Sequence, residues 1–223
     1  MDLRNNQELI DEIMSLPSAP VIVEQARHAL EAERQRREHF YNEISEYEKA
    51  EFINGEIVIH SPVKKEHNDA TGRLFKLIDT YVEKHRCGYV GIEKIMITLS
   101  RNDYEPDICF FGKEKAQHFA EGQSLFPAPD LAVEVLSKKT AGNDRGVKFE
   151  DYRAHAVREY WIIDPLPRSL EQYRLDESGQ YELILKAGNG PLACAAIPGF
   201  QIRIEAIFDP AENLKELLRI LQN

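Results

Sequence analysis

The alternation of apolar and polar positions predicts helices and short strands along the whole chain. In the first part, apolar residues recur at helical spacing among charged ones, and Pro17 and Pro20 mark the start of that pattern. We expect one long helix here, up to about residue 49. The charged run 31–38 fits a solvated face of this helix.

A hairpin and a second helix are predicted next. Asn54 and Gly55 separate two strand-like runs. This pair suits a type I′ turn, because both residues tolerate positive φ. Apolar positions at helical spacing then predict a helix at 65–85, which Gly88 is expected to end.

The rest of the chain predicts a mixed sheet flanked by helices, the α/β (α+β) class. A strand at 131–136, a helix at 143–155 capped by Asn143 or Asp144, and a strand at 160–163 have the form of a right-handed crossover. A helix is also predicted at 211–221. Further strands are predicted at 89–93, 94–100, 107–111, 169–175, 181–186 and 200–204. We expect a helical N-terminal extension at 1–46 and one domain at 47–223.

Composition and charge narrow the class of protein. With 223 residues, 43% of them hydrophobic, the chain can bury a substantial core. We see no apolar run that would span a bilayer and no signal-peptide pattern, so we expect a cytoplasmic protein without a membrane partner. The three cysteines are far apart and predict free thiols rather than a disulfide framework. The net charge of -10 argues against broad electrostatic affinity for nucleic acid.

Three residues stand out as candidates for a catalytic or metal-binding role. Glu134 lies inside an apolar strand, where an ionised carboxylate is costly unless it is paired or binds a metal. Asp107 follows Pro106 at a strand entrance, where turn chemistry alone would explain it. Lys148 lies four residues after Asp144, and an exposed ion pair on a helix would explain it.

Taken together, these residues predict metal-assisted hydrolysis of a phosphodiester. Two carboxylates on neighbouring strands, Asp107 and Glu134, can hold a hard cation such as Mg²⁺. The cation lowers the pKa of a bound water and neutralises charge in the transition state, while Lys148 orients the water or stabilises the phosphoryl oxygens.

Other polar and aromatic residues favour simpler interpretations. We expect His67 to be a cap or surface residue at the start of its helix, and Glu56 to face solvent on the hairpin. Tyr160 and Trp161 lie in a buried strand, so they are expected to be core residues rather than platforms for nucleobases.

The combined pattern resembles a known family. Residues 106–107 (PD), 130–137 (DLAVEVLS) and 157–165 (VREYWIIDP), with Asp144, Lys148 and Tyr152, resemble the Uma-type restriction endonucleases of the PD-(D/E)xK superfamily. The resemblance covers about residues 47–210. It implies a restriction-endonuclease-like core that acts on DNA as a homodimer. It also implies Mg²⁺ or Mn²⁺ bound by Asp107, Glu134 and the backbone carbonyl of Val135.

One position departs from the superfamily pattern. The superfamily places lysine two residues after the acid, but here that position is Leu136. The resemblance implies that the following helix supplies the lysine as Lys148, and Lys138 and Lys139 are alternatives. We expect a metal-dependent DNA endonuclease. The alternatives are an inactive DNA-binding or protein-interaction module on the same fold, and a phosphoesterase acting on nucleotides or RNA.

Overall fold

The N-terminal part of the protein consists of two consecutive helices. The computed structural model describes residues 3–44 and 48–222. In it, α1 (Leu3–Met14) and α2 (Ala19–Glu43) are separated by a turn that contains Pro17. Pro20 lies in the first turn of α2, where its missing amide hydrogen is tolerated. The prediction of one long helix is therefore wrong, and its end near residues 45–47 lies outside the described residues.

The C-terminal half of α2 packs on the rest of the protein. Arg37 donates to both carboxylate oxygens of buried Asp103, at 2.6 and 2.7 Å. Glu33, also buried, accepts from Arg101 at 2.6 Å. Phe40 lies in a small apolar cluster under the same helix. The charged run 31–38 is thus solvated only in part, because Glu33 and Arg37 dock the helix.

Among the described residues, two large mixed sheets and one small sheet are formed. The larger has the order β11 (Tyr181–Ala187), β10 (Ser169–Leu175), β9 (Glu159–Asp164), β8 (Leu131–Val135), β6 (Ile108–Gly112) and β3 (Gly88–Ile92). The second has the order β2 (Glu56–Ile59), β1 (Ala50–Ile53), β5 (Asp103–Tyr104), β4 (Met96–Thr98) and β7 (Leu125–Phe126). The small sheet pairs β12 (Pro191–Ala193) with β13 (Gln201–Arg203).

The first hairpin and the helix after it follow the prediction closely. Asn54 and Gly55 have φ values of 51° and 87° between the antiparallel β1 and β2, so the expected turn is confirmed. Helix α3 (Lys65–His85) is also confirmed. It ends at Arg86, which is left-handed with φ 49°, whereas Gly88 begins β3. Glycine is required at position 88 because a Cβ would lie 2.1 Å from the carbonyl oxygen of Phe111.

Two apolar cores cover the faces of the larger sheet. On one face, α3, α7 (Glu205–Phe208) and α8 (Pro210–Gln222) pack against Val133 and Val135 of β8. On the other face, Ala132 of β8 packs with Tyr152 of α6 (Val147–Ala154) and with residues of the second sheet. Side chains of a strand alternate between faces, so Glu134 shares the second face with Ala132. Within residues 3–44 and 48–222, no helix is long and apolar enough to cross a membrane.

The crossover from β8 to β9 is parallel, as predicted, but its helix is broken. It consists of α5 (Ala141–Arg145) and α6, separated by Gly146. A Cβ at position 146 would lie 2.8 Å from the carbonyl oxygen of Gly142, so the break depends on this close approach of backbone. The predicted start at Asn143 or Asp144 is therefore wrong, and Asp144 lies buried inside α5.

Candidate active site

The register of β6 and β8 brings the two predicted acids to neighbouring positions. Ile108 of β6 pairs with Val133 of the antiparallel β8. Asp107 precedes Ile108 and Glu134 follows Val133, so the chain places the two acids side by side at the edge of this pairing. Both are buried, and both line one cleft of about 590 Å³.

Asp107 is held by three donors. Its Oδ2 accepts from the backbone N–H of Val135 at 2.7 Å and lies 3.2 Å from His67 Nε2. Its Oδ1 accepts from Lys49 Nζ at 2.8 Å. Burial acts to raise the pKa of Asp107, but His67 and Lys49 outweigh it and hold the pKa below its ordinary value. The carboxylate is therefore ionised and fixed in orientation.

Three side chains of metal-ligating type lie together around the same carboxylate. One ligand atom from each of His67, Glu93 and Asp107 lies within 4.8 Å of the others. Nδ1 of His67 is buried and has no hydrogen-bond partner among the described residues. Glu93 adopts a left-handed φ of 59°, a conformation that is strained for glutamate. The expectation that His67 is a surface or capping residue is wrong, because the first turn of α3 directs it towards the sheet.

Glu134 belongs to a second, more deeply buried cluster. Nζ of Lys148 lies 2.7 Å from Glu51, 3.1 Å from Glu134 and 3.3 Å from Asp144. The hydroxyl of Tyr152 donates to Glu134 at 3.3 Å. The structure thus places Lys148 beside Glu134. An exposed Asp144–Lys148 pair, the simple explanation, is wrong because both side chains are buried.

This cluster carries more negative than positive charge. Three carboxylates surround one ammonium, and the imidazole of His60 lies 3.0 Å from Glu51, so the carboxylates still outnumber the basic groups beside them by one. Burial raises the pKa of Glu134 well above its usual value, although Lys148 opposes this. Burial also raises the pKa of Asp144. An ion pair of this kind is stable only when the remaining charge is neutralised by a proton or a cation.

Lysines surround the cleft above the acids. Lys49, Lys64, Lys138 and Lys139 all line it. Lys139 Nζ donates to Ser61 Oγ at 2.9 Å, which joins the loop after β2 to the loop after β8. Lys138 and Lys139 are exposed, whereas Lys148 reaches the acids from α6.

Comparison with known proteins identifies the family. The Uma2 model, described as "Putative restriction endonuclease", matches residues 37–205. The chain belongs to the Uma2 family. The match begins inside α2, and the predicted domain boundary at 46/47 stays a prediction.

Relatives and a solved structure support the Uma2 assignment. From Synechocystis, "Uncharacterized protein sll1609" is 30% identical over 61% of this chain and 78% of its own length. "Uncharacterized protein slr1290" of the same organism is 25% identical over 77% of this chain and 89% of its own length. A crystal structure from Anabaena variabilis, described as "a putative nuclease belonging to DUF820", has a TM-score of 0.66 and 18% identity, and covers 78% of this chain and 96% of that one. This likeness confirms the predicted fold class.

Several residues of the candidate site were not found from the sequence. Glu51 lies in a strand of buried residues, so the reasoning that singled out Glu134 also applies to it. Lys49 and Glu93 flank strands in polar stretches that carry no such signal. Glu56 is exposed, and Tyr160 and Trp161 are buried, as predicted.

Proposed function

We propose that the protein is a metal-dependent endonuclease that hydrolyses phosphodiester bonds in DNA. The observation that carries this proposal is the concentration of buried carboxylates, with one buried lysine, at the floor of a cleft surrounded by lysines. Family membership supports the same activity. In this proposal Asp107, Glu134 and Lys148 are the catalytic residues.

The residues present fit a divalent cation. Asp107 and Glu134 offer carboxylate oxygens on adjacent strands, and the backbone carbonyl of Val135 would complete the set. Hard cations such as Mg²⁺ and Mn²⁺ prefer oxygen ligands of this kind. The unpartnered Nδ1 of His67 and the excess negative charge around Lys148 also favour a cation nearby.

Each proposed catalytic residue is positioned by the chain itself. When bound, the metal supplies an activated water and neutralises charge on the phosphate. The Val135 amide and Lys49 hold the Asp107 carboxylate in place before any substrate binds. Burial lowers the pKa of Lys148, but Glu134 and the other carboxylates outweigh it and raise the pKa well above its usual value. Lys148 is therefore a permanent positive charge beside the reacting phosphate.

The lysines around the cleft support DNA as the substrate. The net charge of -10 disfavours contact with nucleic acid over most of the surface. Lys64, Lys138 and Lys139 place local positive charge next to the acids instead. A local patch of this kind directs a polyanion to one face of an acidic protein.

A homodimer is part of the same proposal. The terminal helices α1 and α8 expose large apolar side chains, and such exposed residues mark interaction surfaces. They are Leu9, Ile10, Met14, Leu214, Leu218 and Leu221. Scattering-coupled chromatography should give the mass of two chains, and a single-chain mass at micromolar concentration contradicts the dimer.

Plasmid cleavage tests the activity. We expect wild type to cleave DNA with Mg²⁺ or Mn²⁺, and Asp107→Asn, Glu134→Gln and Lys148→Met to lose on the order of a hundredfold in rate or more. Asp176→Asn, in the turn between β10 and β11, is the matched control and should cleave as wild type does. Absence of cleavage of both plasmid and single-stranded DNA by wild type, or equal cleavage by the three variants, contradicts the proposal.

A specific observation favours an inactive DNA-binding or protein-interaction module as the second candidate. Leu136 occupies the position of the superfamily lysine, and Lys49 and His67 already contact the Asp107 carboxylate. In this case titration calorimetry should detect no binding of Mn²⁺.

A further inference from the structure

One wall of the cleft is apolar and exposed. Ile59 is 61% exposed, Val63 46% and Leu166 65%. These three side chains come from the end of β2, the loop before α3 and the loop after β9, and all three line the cleft that holds Asp107 and Glu134. A phosphodiester has no apolar part that would explain such a wall beside its hydrolytic site.

The carboxylates lie at the floor of this cleft rather than on an open surface. Asp107 is 4% exposed and Glu134 3%. The Lys139–Ser61 hydrogen bond joins two loops that line the same cleft. A cleft of about 590 Å³ has the size of a pocket for a drug-sized group, on the order of one or two nucleotides. A rigid duplex would have to bring its backbone to acids that lie below the rim.

Intact duplex DNA and a single strand offer different surfaces to this wall. The outer surface of a duplex presents phosphates and sugars, while its bases are stacked inside. A single strand exposes base faces, which pack against apolar and aromatic side chains. The combination of basic rim, apolar wall and acidic floor therefore matches a strand whose phosphates and bases are both free to bind.

We propose that the cleft binds single-stranded nucleic acid. One unstacked base packs against Ile59, Val63 and Leu166, Lys64 and Lys138 contact the adjacent phosphates, and the phosphodiester between them reaches the acids. The inference rests on the proposed nuclease function and specifies its substrate class. Single-stranded DNA, single-stranded RNA and a strand displaced from a duplex share this chemistry.

Binding of labelled oligonucleotides tests the inference. Fluorescence anisotropy would use wild type with Ca²⁺ in place of Mg²⁺, and a single strand of twelve nucleotides as DNA or RNA. The matched probes are the duplex of the same sequence and a strand of equal length with abasic sites. We expect the single strand to bind about tenfold or more tightly than either probe, because the duplex hides the base and the abasic strand lacks it. Comparison of the single-stranded DNA probe with the RNA probe shows which of the two nucleic acids the cleft binds more tightly.

Variants of the apolar wall identify the contact. Leu166→Ala and Ile59→Thr should weaken single-strand binding about tenfold and leave the weak duplex binding unchanged. Leu183→Ala is the matched control, because Leu183 is exposed on β11 and does not line the cleft. Thermal unfolding of each variant separates a loss of binding from a loss of folding.

The outcomes distinguish this inference from the proposed function. Equal binding of single strand and duplex, or wall variants that bind as wild type does, overturns the single-strand inference. If plasmid is then still cleaved by wild type and not by Glu134→Gln, the proposed function stands. If no nucleic acid binds and none is cleaved with Mn²⁺, both the single-strand inference and the proposed function are wrong.

Discussion

Replacing Lys148 with methionine removes one buried charge while keeping an unbranched side chain. In the wild type, the Lys148 ammonium lies within 3.3 Å of carboxylate oxygens of Glu51, Glu134 and Asp144. All four side chains are buried, so water solvates the remaining carboxylates poorly once the ammonium is lost. The variant would leave three carboxylates without their shared cation.

The expected loss of stability is large. Removing one partner of a buried ion pair costs about 3–5 kcal/mol. For a domain of this size, each kcal/mol lowers the melting temperature by about 2–4 °C, so Lys148→Met should lower it by about 6–20 °C. Adding Glu51→Gln removes one of the three carboxylates and should recover part of this loss.

Urea unfolding followed by tryptophan fluorescence measures the effect without added metal, using the buried Trp161. Lys139→Met is the matched control, because Lys139 is exposed and bonds only to Ser61 among the described residues. Its unfolding free energy should stay within about 0.5 kcal/mol of wild type. If Lys148→Met is as stable as the control, the buried charge cluster does not exist as described.

Three further predictions concern the surrounding fold. Arg145, together with Lys186 and Tyr173, lowers the pKa of Glu171 from 4.5 to about 2. The ionised Glu171 carboxylate therefore stabilises the folded state above pH 4.5, and this contribution is lost as the pH falls towards 2. Glu171→Gln should remove the contribution. Arg37→Ala should cost about 3–5 kcal/mol, because it leaves the Asp103 carboxylate buried and without its bidentate partner. Gly55→Ala should cost about 1 kcal/mol, since position 55 has φ 87°.

Chemical denaturation across pH checks all three. The unfolding free energies of wild type and Glu171→Gln should converge between pH 4.5 and 2, and a constant difference over that range contradicts the pKa shift. Glu177→Gln in the nearby exposed turn is the control for general charge effects. Unchanged stability of Arg37→Ala would mean that α2 is not docked through Asp103. A stabilising Gly55→Ala would contradict the left-handed turn.

Local signals in the sequence were sufficient for much of the fold. The Asn54–Gly55 turn, α3 and the strands β10 and β11 all follow from rules that act within a few residues, and all are present. The errors lie where close backbone contacts decide. Gly88 begins a strand in which Phe111 leaves no space for a Cβ, and Gly146 separates α5 from α6 where it approaches the Gly142 carbonyl.

In the candidate site, too, local sequence signals identified one residue, while the placement of others depended on tertiary packing. An acid in an apolar strand is a strong local signal, and it led to Glu134. The residues alone could not place Lys148 and His67, because a helical lysine or histidine has the same sequence appearance whether it points outward or towards a sheet. Lys148 was assigned through the family resemblance instead, and it lies 3.1 Å from Glu134. Only the packing of α6 and α3 on the sheets decides that both are buried beside carboxylates.

A crystal soaked in Mn²⁺ and measured for anomalous scattering tests the central claim most directly. The account predicts an anomalous peak that contacts both Asp107 and Glu134, and the loss of that peak in Glu134→Gln. A peak bound only by His67, Glu93 and Asp107, or no peak at saturating Mn²⁺, would contradict a cation shared by the two predicted acids.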